Sequence, residues 1–161
     1  MENVNVERTV IRPLIVKDRV KILQMLSECG EETQRLFRPI LYFYNLEGVN
    51  WLFNTLNGLD ARRFVAENGN GEVLGFIYYY VKDGGAYLGI VVADAYQRIG
   101  VGNKLVEAVE EDARKRGLPS VATGGGTLHH GPLYGLLMKR GYVDLGKYTQ
   151  THCMMEKKLN G

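Results

Sequence analysis

Six consecutive residues, Gln97-Arg98-Ile99-Gly100-Val101-Gly102, have the types and spacing to hold an anion. They stand between a β-branched stretch, Ala86 to Val92, and a helical pattern that opens at Val101. The first turn of a helix carries N–H groups with no internal partner. Its aligned peptide dipoles add roughly half a positive charge at that end. Together these suit a phosphate or pyrophosphate. Gly100 and Gly102 lack side chains, so a bulky phosphate can approach the backbone. Arg98 supplies a full charge and a forked donor. The same glycines would equally serve a tight strand-to-helix connection that uses them only for packing. Two familiar phosphate loops are excluded. Leu105 stands where the dinucleotide fingerprint needs its third glycine, and the Gly-Lys-Ser/Thr of a P-loop is absent.

The elements around this turn follow from periodicity. Val6 to Arg12, closed by Pro13, reads as a first strand. Asp18 is placed to cap a helix whose apolar face is Val20, Ile22, Leu23, Met25 and Leu26, and Gly30 ends it. Glu31 to Phe37 is expected as a second short helix, and Val49 to Leu56 has helical spacing. Arg63 to Glu67 and Val73 to Lys82 are strands joined by Asn68-Gly69-Asn70-Gly71, and Asp83-Gly84-Gly85 turns the chain into Ala86 to Val92. These strands predict an antiparallel meander. Val101 to Arg116 is a strongly amphipathic helix, with Gly117 at its end and Pro119 beyond. Leu118 to Thr123 is a short strand. A helix from Pro132 to Arg140 follows, stopped by Gly141, and Tyr142 to Lys147 with Tyr148 to Leu159 reads as a closing hairpin. The fold class expected is one mixed α/β domain over residues 1–161, a mostly antiparallel sheet with flanking helices.

Bulk properties narrow the function classes. At 161 residues the chain can bury a core without a metal or disulfide. A net charge of +2 is too mild for nucleic acid, where a strong basic patch is expected. Val73 to Val81, the longest nearly apolar run, is far short of the ~20 residues that cross a bilayer. No charged start with an apolar core marks a signal peptide, so a cytoplasmic location with reduced thiols is expected. The two cysteines, Cys29 and Cys153, match no disulfide framework, and without C-x-x-C no zinc site is expected. His129 and His130 are adjacent, with no acidic residue near them in sequence, so no metal is expected there.

The turn follows the last strand of a meander, and in that setting the sequence resembles the GNAT family of N-acetyltransferases. The family's Gln/Arg-x-x-Gly-x-Gly/Ala signature is matched at Gln97, Gly100 and Gly102. Val92 matches the apolar strand end before it and Tyr96 the usual aromatic. Arg12-Pro13 with Asp18, Phe64 to Glu67, Val73 to Phe76, and Lys139-Arg140-Gly141-Tyr142 extend the resemblance over nearly the whole chain. It implies acetyl-CoA as co-substrate, with its pyrophosphate on the backbone N–H groups from Arg98 through Ile99, Gly100, Val101 and Gly102 to Asn103. It implies that the strand ending at Val91 and Val92 splays from its neighbour and pairs with the pantetheine, one N–H facing the thioester carbonyl. It implies direct attack by a primary amine in a ternary complex, and a homodimer with the strands from Asp144 to Leu159 as its candidate face.

The chain also departs from the family. Leu137 stands where many members carry a catalytic tyrosine, so Tyr134, three residues earlier and near the same helical face, is the candidate replacement. A phenol packed at the helix start is the plainer reading of Tyr134. His130 occupies the place of a cofactor-binding asparagine; a solvent-facing loop histidine is the alternative. Ala86 to Val92 contains no carboxylate, which removes the glutamate base found in some members and leaves Glu67 and the Tyr78-Tyr79-Tyr80 cluster. Neither cysteine has a general base nearby, so no acyl-enzyme is expected. The resemblance implies an acceptor pocket within roughly Cys29 to Leu59, which holds Phe37, Tyr42, Phe43, Tyr44, Trp51 and Phe53; a hydrophobic helix pair closing on the sheet is the plainer reading of most of these. Arg35-Leu36-Phe37-Arg38, Asp60 and Val65-Ala66 resemble the family's protein-lysine acetyltransferases. A protein lysine and a small amine both stay open. So do an acyl-CoA-binding sensor without turnover and a structural domain without a cofactor.

Overall fold

Asp83 and Gly84 both take positive φ, 51° and 82°. That is the type I′ geometry whose twist matches paired strands. They join β3 (Val73–Lys82) to β4 (Gly85–Val92), antiparallel from Lys82↔Gly85 to Gly75↔Val92. β2 (Ala61–Glu67) lies on the other edge of β3 and β1 (Val10–Pro13) beyond it, both antiparallel. Between β2 and β3, Asn68 Oδ1 accepts the N–H groups of Asn70 and Glu72 at 3.0 and 2.9 Å, and Gly71 takes φ 76°. The expected meander is present. The computed structural model describes residues 8–31, 59–97, 99–123, 127–128, 131–147 and 149–159. The expected helix at Glu31 to Phe37 falls almost wholly outside them, as does the helical pattern at Val49 to Leu56.

Strand alternation assigns the two faces of this sheet. Val65, Phe76 and Val91 meet α1 (Asp18–Glu28) through Ile22, Met25 and Leu26. Ala66, Ile77, Tyr79 and Leu88 meet α2 (Val101–Lys115) through Leu105, Val106, Val109 and Ala113. Tyr79 thus parts from Tyr78 and Tyr80. Gly117, at φ 74°, ends α2, and the Leu118 N–H reaches back to Ala113 O at 2.9 Å. α1 differs from the expectation. Asp18 is its first residue and does not cap it. The carboxylate instead accepts the Ile15 N–H at 2.8 Å and the Arg12 guanidinium at 2.8 and 2.9 Å.

After α2, β5 (Ser120–Thr123) runs parallel to β4. A short β6 (Thr127–Leu128), not expected from the sequence, precedes α3 (Pro132–Lys139), and β7 (Val143–Lys147) with β8 (His152–Lys158) closes the chain as a hairpin. Glu156 stands opposite both Ala122 and Val143, and Cys153 opposite both Thr127 and Lys147. Hence β5 and β6 share one edge of β8, and β7 takes the other. The result is one eight-stranded, mostly antiparallel sheet between helices, as the fold class required. Among the described residues no helix is long and apolar enough to cross a membrane.

Candidate functional site

Among the described residues β4 and β5 pair from Ala86↔Val121 to Leu88↔Thr123. Past Leu88, β4 continues on β3, and no described residue pairs with its other edge. The ladder decides which backbone groups face it. The Ala93 N–H donates to Leu74 O at 2.8 Å, so Ala93, and by alternation Val91, turn toward β3. Ile90 and Val92 therefore turn their N–H groups to the edge away from β3. Of the two residues expected to meet the pantetheine, Val92 has its N–H on that edge, while the Val91 peptide belongs to β3 and its side chain is buried against α1. Ile90 shares the orientation of Val92.

A single 3-10 turn at Asp94–Tyr96 leads from β4 into the glycine turn. The Gln97 side chain folds back, and its Nε2 donates to Val92 O at 2.9 Å, tethering the free end of β4. Gly100 takes φ 99° just before α2, a conformation that side-chain-bearing residues rarely adopt. Gly102 has a different reason to be bare. A Cβ there would lie 3.2 Å from Leu136 Cδ2 and 3.7 Å from Val92 Cγ2. Val101 is fully buried and Ile99 is exposed, so both offer the turn their backbone. Asn103 Oδ1 accepts from Arg140 Nη1 at 2.7 Å. Arg98, His129 and His130 lie outside the described residues.

Arg140 belongs to a buried cluster that fixes this turn against α3. It grips Glu110 of α2 through Nη2 at 2.7 Å and Nε at 3.1 Å. Lys157 of β8 and the Tyr142 hydroxyl donate to the same carboxylate at 3.1 and 3.0 Å. Burial pushes Glu110 upward, but these donors outweigh it and hold the group below its ordinary range.

α3 packs against β6. Leu136 lies beside Gly102, which Val92 also approaches. Leu137 is fully buried in the core. Tyr134 is half-buried, and its hydroxyl donates to Asp144 Oδ2 on β7 at 3.1 Å. Partial burial and then this carboxylate raise the phenol above its ordinary range, so it stays protonated. Asp144 was not singled out from the sequence. It lies far along the chain from the turn, and only the β7–β8 pairing carries it to α3.

The remaining candidates sort by position. Glu67 is held by Arg12 at 2.6 Å, in an ion triad with Asp18. Tyr79 is fully buried; its hydroxyl donates to Asp112 and accepts from Arg116 Nη1 at 2.9 Å. Tyr78 lies over Gly89, where a Cβ would come within 2.4 Å of the phenol ring, one residue past the last β4–β5 pair. Cys29 is buried, its thiol on Met25 O at 3.3 Å and raised by burial to about 11. Cys153 is raised by burial and then by Asp144. Neither is an activated nucleophile. Among the described residues no group of His, Cys, Asp and Glu could hold a metal. A groove lined by Thr9, Ile11, Phe64, Glu107 and Glu111 lies between β1–β2 and α2, at the β1 edge of the sheet.

The fold recurs in solved structures. A PaiA N-acetyltransferase from Thermoplasma acidophilum in complex with coenzyme A superposes with TM-score 0.75 at 19% identity, covering 93% of this chain and 98% of that one. The GNAT domain of S. lividans PAT gives 0.75 at 21%, over 92% and 89%. A spermidine N-acetyltransferase from Vibrio cholerae, with CoA and spermine, gives 0.77 at 15%, over 95% and 96%. No curated protein matches the sequence significantly. A family model, the acetyltransferase (GNAT) family, matches residues 23–142. With the glycine turn and this match, the chain belongs to the acetyltransferase (GNAT) family of acyl-CoA-dependent N-acyltransferases.

Proposed function

We propose that this chain moves the acetyl group of acetyl-CoA to a primary amine by direct attack in a ternary complex. The observation that carries the reading is the edge of β4 past Leu88, with the N–H groups of Ile90 and Val92 turned away from β3 and the αL Gly100 opening α2 beyond it. The pantetheine would add to β4 as a further strand. The N–H of Ile90 or Val92 would meet the thioester oxygen, where negative charge develops. The pyrophosphate would lie on the first N–H groups of α2, from Ile99 to Asn103, with Arg98 beside it and His130 toward the pantetheine. The Gln97 tether would keep this edge of β4 in place.

The amine must attack neutral, and at pH 7 only about one alkyl amine in a thousand is neutral. Tyr134 is the proton donor to the departing thiolate in this reading, held as a phenol by its surroundings. The buried, unactivated thiols support transfer without an acyl-enzyme. The V. cholerae structure, with CoA and spermine together, supports an amine acceptor in a ternary complex. The acceptor here is a small amine or a protein lysine.

The test is release of free thiol from acetyl-CoA against a panel of amines, amino acids and lysine-bearing peptides. Turnover with at least one member is expected. Tyr134→Phe should lower kcat by about a hundredfold or more, the usual weight of one acid–base group. Acetyl-enzyme formed without acceptor, or full turnover in Tyr134→Phe, sinks the corresponding part.

A further inference from the structure

The carboxylate of Asp144 is held as carefully as the phenol that meets it. β7 is bulged between Asp144 and Lys147, and Gly146 takes φ 109° in the bulge. The Gly146 N–H returns to Asp144 Oδ1 at 2.8 Å. That bond fixes one oxygen and leaves Oδ2 aimed at α3, where the Tyr134 hydroxyl donates to it at 3.1 Å. Bulges re-aim side chains and are over-represented beside active sites. The helix that carries Tyr134 also sets Leu136 beside Gly102, in the first turn of α2. Glu67, the carboxylate left open by the sequence, is engaged by Arg12 instead.

We propose that Asp144 is a positioning residue that receives the amine's proton through Tyr134, an assignment that rests on the transfer reading above. The amine nitrogen attacks the thioester carbon and forms the C–N bond. Its proton passes to Tyr134 Oη as the phenol's own proton passes to Asp144 Oδ2. The C–S bond then breaks, with its electron pair on sulfur. The proton returns from Asp144 through Tyr134 to that sulfur, giving free thiol and restoring the carboxylate. Protons and charge balance without a further reactant. Among the described residues the titratable groups facing Asp144 are Tyr134 from α3 and the Cys153 thiol from β8. The thiol stays protonated through burial and does not carry the proton in their place.

Asp144→Asn keeps a side-chain oxygen for Tyr134 but cannot take its proton. The full chain is assayed with acetyl-CoA and the amine panel above, reading free thiol. For any amine the wild type uses, kcat should fall by about a hundredfold or more while the KM for acetyl-CoA moves by less than about threefold. Tyr134 should also ionise at lower pH in Asp144→Asn, read from phenolate absorbance against Tyr134→Phe. An unchanged kcat, an unshifted Tyr134 titration, or a KM that rises in step with the loss in kcat overturns the relay. A wild-type chain that releases no thiol with any amine overturns the transfer reading instead, and the relay with it.

Discussion

Gly100 and Gly102 look equivalent in the signature, yet the structure gives them different work. Gly100 is bare because of its φ of 99°. An alanine there meets a strain of roughly 1–2 kcal/mol and tilts the first N–H groups of α2. Gly102 is bare because Leu136 lies against it, 3.2 Å from where a Cβ would stand. A leucine methyl can shift by a few tenths of an ångström. Gly100→Ala should therefore weaken acetyl-CoA about tenfold, the equivalent of ~1.4 kcal/mol. Gly102→Ala should weaken it clearly less. Isothermal titration of both variants checks this, and equal losses would contradict the division of roles. The sequence offered phosphate clearance or packing for this pair. Packing describes Gly102, while the reason at Gly100 is its φ, and the sequence could not separate the two because φ and neighbour distance are properties of the folded chain.

At the scale of elements, Glu110 joins α2 to α3 and β8 through Arg140, Tyr142 and Lys157. Its carboxylate is fully buried, so removing its charge strands two cations. Glu110→Gln should cost about 3–5 kcal/mol, a Tm drop of roughly 10 °C for a domain of this size. The sign with pH follows from the lowered pKa. The contribution is complete above the ordinary value of 4.5 and is lost as pH falls through the lower folded value. Wild type and Glu110→Gln should therefore converge in Tm on acidification below about pH 4.5, and parallel curves would count against it. Some of this scale was legible in the sequence. The two-residue Asp83-Gly84 turn makes Lys82 and Gly85 a hydrogen-bonded pair. Counting by twos from Gly85 assigns Val91 to β3 and turns Ile90 and Val92 outward. That signal was present and went unused. The Asp144–Tyr134 contact had no such signal, since it depends on the bulge in β7 and on where α3 settles over the sheet.

At the scale of the molecule, the described residues join β4 to β5 by Ala86↔Val121, Tyr87↔Ala122 and Leu88↔Thr123. Arg140, at the end of α3, holds Asn103 in the first turn of α2. A ligand seated along β4 past these pairs would add contacts to the fold, and it would bind the folded chain alone. Acetyl-CoA at a hundred times its dissociation constant should then stabilise the fold by about 2.7 kcal/mol. For this chain length that corresponds to a Tm rise of roughly 5–10 °C. Gly100→Asp places a carboxylate where the pyrophosphate is expected, at a backbone that already disfavours a side chain. It should abolish the rise, and Arg98→Glu should do the same by reversing the charge beside the turn. Two other readings predict different curves. A structural domain without a cofactor shows no rise in the wild type. An acyl-CoA sensor shows the full rise but releases no thiol with any amine. A wild-type rise that survives in both variants would place the cofactor away from the glycine turn, and the anion site would then be a packing device alone.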